Sequence, residues 1–190
     1  MRRFILVLTT LLSFAANASL IQIKLDKGTF LSGESITGQL VATNLTHPIG
    51  GFTADIEFDP FNLSLDAWSL GNGLDAGDGS LDLSDDTIPG FLMLSEFTWS
   101  DWSDTTAEAV ASAIQGTEFI LASFEFSAFS LGSHSISLAG GSSLVSFDNL
   151  LEESFGAQTI NFSVVDAQVP APLTLVLILT GLFLLRRKLN

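Results

Sequence analysis

The sequence predicts an all-β protein, an antiparallel β-sandwich of about eight to nine strands. Apolar and polar residues alternate with a period of two through most of the chain. Clusters of Gly, Asp, Asn and Pro interrupt the alternation at short intervals. No stretch inside residues 19–168 sustains a 3.6-residue apolar period, and the chain has no cysteine with which to staple a loop-rich scaffold.

The strands follow in order. LIQIKL (Leu20–Leu25), SITGQLVAT (Ser35–Thr43) and GFTADIEF (Gly51–Phe58) each place apolar side chains on one face of an extended chain. NLSLDAWSL (Asn62–Leu70), FLMLSEFTW (Phe91–Trp99), EFILASFEFSAF (Glu118–Phe129), HSISLAG (His134–Gly140) and QTINFSVV (Gln158–Val165) continue the pattern. Within Glu118–Phe129 both alternate sets hold apolar residues, which predicts a strand close to the core with a bulge. DKG, LSGE, HPIGG, FDPFN, LGS and AGGSS are the turns. In FDPFN, Asp59 caps a turn that Pro60 pre-sets, and Leu63 re-enters the core. One short helix is expected over Thr105–Ile114, where threonines, Glu108 and alanines favour a helical start. Sixteen Phe and no Tyr suit a dry interior between two sheets.

The formal net charge of −14 averages unlike parts. Arg2, Arg3, Arg186, Arg187 and Lys188 lie at the ends, leaving Lys24 and Lys27 against all 21 Asp and Glu between Ser19 and Gln168, a balance of −19. Such a field repels nucleic acid and anionic lipid, which are therefore poor partners. Without cysteine there is no thiolate nucleophile and no Cys-based zinc site.

The ends read as addresses. Arg2 and Arg3, the apolar run FILVLTTLLSFAA and the small-residue site ending at Ala18 form a secretory signal peptide over residues 1–18, a signal helix removed on export. Residues 19–168 are then the extracytoplasmic sandwich domain, and 169–190 are a separate segment. There Val169, Pro170, Ala171 and Pro172 precede a nearly aliphatic run over about 173–185, a single transmembrane helix of marginal length. Arg186, Arg187 and Lys188 follow it as stop-transfer charges and orient the chain N-out, C-in.

Pro-x-Pro, a short Leu-rich span with a central Gly181 and a terminal Arg-Arg cluster resemble the PEP-CTERM sorting signal of Gram-negative bacteria. Ala171 stands where that family has Glu. The resemblance implies transient anchoring in the inner membrane, an exosortase-like processing enzyme as partner, and delivery to the cell surface or extracellular matrix. A second resemblance covers nearly all of the middle. GESITGQLVATNL, GGFTADIEFDPFNLSL, LSEFTW and QGTEFILASFEFSAFSLGSHSISL, in that order, resemble the cohesin-like jelly-roll sandwiches of secreted bacterial proteins, related to carbohydrate-binding domains. That resemblance implies a binding fold.

Three constellations of residues bear on function. GLDAGDGSLDLSDD (Gly73–Asp86) matches the second half of an EF-hand-type loop, but Leu74 and Ala76 stand where ligand oxygens are required. An acidic solvated loop is expected; the alternative is a weak calcium site assembled from Asp75, Asp78, Asp82 and Asp85. No cofactor is expected. Catalysis lacks its parts: His47 and His134 form no metal pair, no G-x-S-x-G elbow occurs, and no carboxylate pair stands out. The chain is not expected to be an enzyme. Trp68 reads as core. Trp99 and Trp102, with Asp101 and Asp104 in TWSDWSD, are the candidate ligand site, two rings for stacking and two carboxylates for sugar hydroxyls. The expected function is a non-enzymatic exported surface or matrix protein associated with exopolysaccharide or biofilm. The alternative is a carbohydrate- or protein-binding module with one specific ligand.

Overall fold

The computed structural model describes residues 20–75, 78–101, 103–147 and 152–167. The expected signal peptide with Ala18 lies outside the described residues, as do Trp102 and the expected sorting segment with Val169, Pro170, Ala171, Pro172, the run 173–185, Arg186, Arg187 and Lys188. Among the described residues no helix is long and apolar enough to cross a membrane.

The described chain forms β1 (Leu20–Leu25), β2 (Thr29–Leu31), β3 (Ile36–Thr43), β4 (Ile49–Phe58), β5 (Leu63–Leu70), β6 (Ser80–Asp82) and β7 (Phe91–Thr98). It continues with helix α1 (Thr105–Gln115), β8 (Glu118–Ala128), β9 (Gly132–Leu138), β10 (Ser143–Ser146), β11 (Glu152–Ser154) and β12 (Gln158–Val165). The smaller sheet has the order β1-β3-β8-β5. In the larger one β4 is the hub. One edge of β4 carries β7 and then β6. Its other edge is shared, with β10 and β11 along the first half and β9, β12 and β2 beyond the second.

All eight strands expected from alternation are present. The four additional ones, β2, β6, β10 and β11, are three or four residues long, too short to display a period, and they correct the expected number upward. β6 lies inside the segment expected to be only a loop. A second correction is that β12 pairs parallel with β2, whereas every other described strand pair is antiparallel. The cause is connectivity. β1 leaves the smaller sheet at Leu25, and the turn at Asp26–Gly28 lets the chain run on in the same direction as β2 in the other sheet.

The core lies between the sheets. Ile21, Ile23, Ile36, Leu40, Phe124 and Phe126 face Phe30, Phe52, Ile56, Leu92, Leu94, Ile136 and Phe162, all nearly or fully excluded from solvent. The expected bulge is present. Leu40 pairs with Ala122 but Val41 with Ile120, so Leu121 is the extra residue, and it and Ala122 are buried in succession. The FDPFN turn also forms as its residues dictate. The Asp59 carboxylate accepts the Phe61 N–H at 2.9 Å and the Asn62 side-chain amide at 2.5 Å, and Leu63 re-enters the core.

Helix α1 covers the expected segment and one residue more. Its cap is Asp104, not a threonine: the carboxylate accepts the Thr106 N–H at 2.8 Å, a stronger acceptor for a helix start than a hydroxyl. Gln115 in its last turn is 1% exposed. Its amide donates to the carbonyls of Ile49 (2.8 Å) and Gly73 (3.0 Å), while its Oε1 accepts the Ile49 N–H at 2.7 Å. One side chain thereby closes the start of β4 and fastens the helix to one end of the sandwich.

Candidate functional site

An open groove of about 410 Å³ runs over the outer face of the smaller sheet. Two cross-strand rows build it, Thr37–Glu125–Ala67 and Gln39–Ser123–Ser69, each taking one residue from β3, β8 and β5 in register. Alternation turns these positions outward because Ile36, Leu40, Phe124 and Phe126 occupy the core on either side. The centre is low because Ser123, Ala67 and Ser69 are small. The rims are carboxylates held by hydroxyls: Thr37 donates to Asp26 at one end, and Ser35 to Glu125 within the row. A bulge in β5 between Leu65 and Ala67 turns both Asp66 and Ala67 to the solvent side, where Asp66 accepts the Ser127 hydroxyl. The groove therefore offers acceptors and hydroxyls and no cation. It suits a neutral polar or basic surface.

Trp68 lies beside this trough but belongs to the inside. It is half-buried against the core, and its indole N–H donates to Asp86 at 2.9 Å, closing the β5 edge against the loop before β7.

The Trp99 site is only partly described, since Trp102 lies outside the described residues. Trp99 is 61% exposed, so its ring is open for contact. The two neighbouring carboxylates already have local partners. Asp101 accepts the Ser103 N–H at 2.9 Å and its hydroxyl at 2.7 Å; these bonds, the backbone one foremost, hold its carboxyl below the usual carboxylate range. Asp104 is the helix cap. Each retains free lone pairs, but their positions follow from the turn and the helix start.

The four Asp named for a calcium site likewise accept hydrogen bonds from the chain. Asp75 accepts from the Gly79 N–H, Asp78 from the Ser100 hydroxyl, Asp82 from the Ser84 N–H and Asp85 from the Thr87 N–H. Among the described residues no three His, Cys, Asp or Glu side chains gather to hold a metal ion. His47 and His134 are at opposite ends of the sandwich. His134 is 9% exposed, with Nε2 within 2.9 Å of the Ser130 carbonyl and its ring tilted on Phe162.

Among the described residues one acid is strongly buried, and nothing in its sequence neighbourhood marks it. Glu96 on β7 is 3% exposed beneath the β6 hairpin, accepts the Ser80 hydroxyl, and sits near Asp82 and Asp75. Burial pushes its carboxyl up, with the two neighbouring charges adding to the shift. A raised acid binds its proton more tightly in the folded state. Its stabilising contribution is thus present below the ordinary Glu value and is lost as pH rises through the folded value. Glu96→Gln is therefore expected to melt higher than the parent at pH 7, and the difference should shrink towards pH 4 in paired thermal melts. An equal difference at both values would show that Glu96 ionisation is not what burial opposes.

No family model matches the sequence, and no curated protein does. Solved structures do match. The chain is similar to a type II cohesin domain from the cellulosome of Acetivibrio cellulolyticus, with 21% identity, a TM-score of 0.58, and coverage of 78% of this chain and 92% of that one. It is similar also to a cohesin module from a Clostridium perfringens family 33 glycoside hydrolase, with 8% identity, a TM-score of 0.58, and coverage of 78% and 99%. The fold is a cohesin-like β-sandwich. A third cohesin-like match is the sixth cohesin of Acetivibrio cellulolyticus scaffoldin B, solved in complex with a dockerin, with 14% identity, a TM-score of 0.54, and coverage of 77% and 99%. At these identities the cohesin likeness is one of backbone. The residues of the groove are this chain's own.

Proposed function

We propose that this chain is an exported, membrane-tethered, non-enzymatic binding module whose ligand is a protein, docked across the outer face of the smaller sheet. The observation that carries this reading is the cohesin-like sandwich itself, spanning nearly the whole of modules of which one is solved holding a dockerin. The groove supports it from the chemistry side. Its cation-free rim of Asp26 and Glu125 favours a partner presenting Lys, Arg or amide donors. Export and tethering rest on the signal peptide and on the PEP-CTERM-like segment, with an exosortase-like enzyme as the processing partner.

The exposed Trp99 ring favours a second reading, contact with a neutral exopolysaccharide by stacking. One experiment separates the two. The immobilised full chain is offered the exported proteins of its own source and, separately, neutral polysaccharide from the same culture. Ser123→Arg fills the trough and reverses its charge without touching the core, and should weaken capture of a protein ligand by about tenfold or more. Trp99→Ala should leave that capture intact. Polysaccharide retention lost in Trp99→Ala but kept in Ser123→Arg would establish the second reading instead. Capture of neither class would overturn both.

A further inference from the structure

Twelve large apolar side chains are exposed among the described residues, and six of them, Leu31, Phe61, Ile88, Phe129, Leu131 and Val165, gather at one end of the sandwich. Register and hydrogen bonds place them together. Val165 pairs with Leu31 and Val164 with Gly132, which sets Leu131 beside the same strand end. The Phe129 N–H donates to the Asn62 carbonyl, next to Phe61, and the Phe58 N–H donates to the Gly90 carbonyl in the loop that carries Ile88. Phe61 is 88% exposed and Phe129 67%, values that no packing inside this domain explains. Phe61, Ile88, Phe129 and Leu131 stand on the loops between strands, and Leu31 and Val165 end β2 and β12. Two of the nearby carboxylates are drawn into local bonds, Asp59 by its own turn and Glu34 by the Leu31 N–H and Lys27, while Asp166 follows Val165 at the root of the tether.

The same end releases the C-terminus. β12 runs towards it and finishes at Val165, whereas β1 begins at the opposite end, where Leu20 pairs with Thr43. From Val165 to Leu173, where the aliphatic run begins, the backbone reaches at most about 28 Å when fully extended. A sandwich held by that segment can hardly turn any other end to the bilayer.

We propose that this end is the membrane-facing surface of the tethered protein, with Phe61, Phe129 and Leu131 seated in the interfacial layer of the bilayer. Aromatic and aliphatic loop tips gain there what they lack in water, and a cluster of this kind on a soluble sheet protein otherwise exposes apolar surface to no purpose. The outer face of the smaller sheet then stands side-on to the membrane and open to a partner. The inference rests on the tethering part of the proposed function and not on the identity of the ligand.

The absence of cysteine makes the test direct, since a single introduced thiol takes a single label. Phe129→Cys and, at the opposite end, Ile114→Cys are labelled with an environment-sensitive fluorophore in the full chain, reconstituted into phosphatidylcholine vesicles carrying a lipid-bound quencher. Both sites are exposed, so neither substitution should disturb folding. Quenching at position 129 is expected to exceed that at 114 severalfold. Phe61→Ser and Leu131→Ser together should reduce it while the melting temperature stays within a degree or two. Equal, weak quenching at both positions in vesicle-bound protein would overturn the proposal and leave the tether standing. Protein that washes off the vesicles would overturn the tether as well. Contact between copies at position 129, read by pyrene excimers, would assign the patch to self-association and overturn the proposal too.

Discussion

Phe126→Ala is expected to destabilise the sandwich by about 3–5 kcal/mol, which lowers the melting temperature by on the order of 10 °C in a domain of this size. Phe126 is fully buried on β8, and its ring meets Phe58 edge-on at 4.8 Å and Phe124 at 5.6 Å. β8 lies between β3 and β5, so the cavity would open under the middle of the smaller sheet. Rigid strands on both sides prevent collapse into that space, which places the cost at the upper end for an aromatic truncation. Phe126→Leu fills most of the volume and should recover at least half of the loss. Chemical denaturation of both variants measures this. A cost below about 1 kcal/mol for Phe126→Ala would mean that the two sheets are not packed through this ring.

Gln115→Met should be nearly as damaging, although it keeps the volume and adds no charge. The native amide satisfies the Ile49 N–H and the carbonyls of Ile49 and Gly73, all inside the protein. Methionine leaves those backbone groups without their partner, at about 1–3 kcal/mol for each buried polar group that water cannot reach. The expected total is about 2–5 kcal/mol. Gln115→Glu separates the contributions. Its carboxylate still accepts the Ile49 N–H but faces two carbonyls that need a donor, so it should be rescued partly as pH falls and the group protonates. Melting curves at pH 7 and pH 4 check both variants. A fully stable Gln115→Met would show that water replaces the amide and that α1 is not fastened by this side chain.

Gln115 also illustrates what one dimension hides. Nothing in ASAIQG distinguishes a glutamine that bonds a strand 66 residues away from one that faces water. Glu96 is a similar case. FLMLSEFT alternates like any half-buried strand; Glu96 falls in phase with Leu92 and Leu94 and pairs with the buried Phe52, so its carboxylate shares their face, and the hydroxyl that bonds it comes from Ser80, 16 residues away on β6. The bulge in β5 was more legible, since LSLDAWSL shifts its apolar phase between Leu65 and Trp68. Asp104 shows the reverse problem. Its sequence neighbours Trp99 and Asp101 suggest a ligand site, and the helix that follows also uses it as a cap, a role the sequence alone assigns to threonine.

By itself the sequence determined the long strands, the FDPFN turn, the β8 bulge, the short helix and the Phe-rich interior. Each depends on local chemistry: a period of two, a proline with a fixed φ, an acceptor at a helix start. Only the tertiary structure decided the short strands, the parallel pairing of β12 with β2, the groove and the apolar end. The groove consists of two rows whose members come from three strands, so no one segment contains it. The apolar end joins loops separated by up to 134 residues, from Leu31 to Val165, and each exposed residue looks unremarkable in its own segment. Register and connectivity bring such residues together, and both are set by non-local hydrogen bonding and core packing, which leave no periodic trace along the chain.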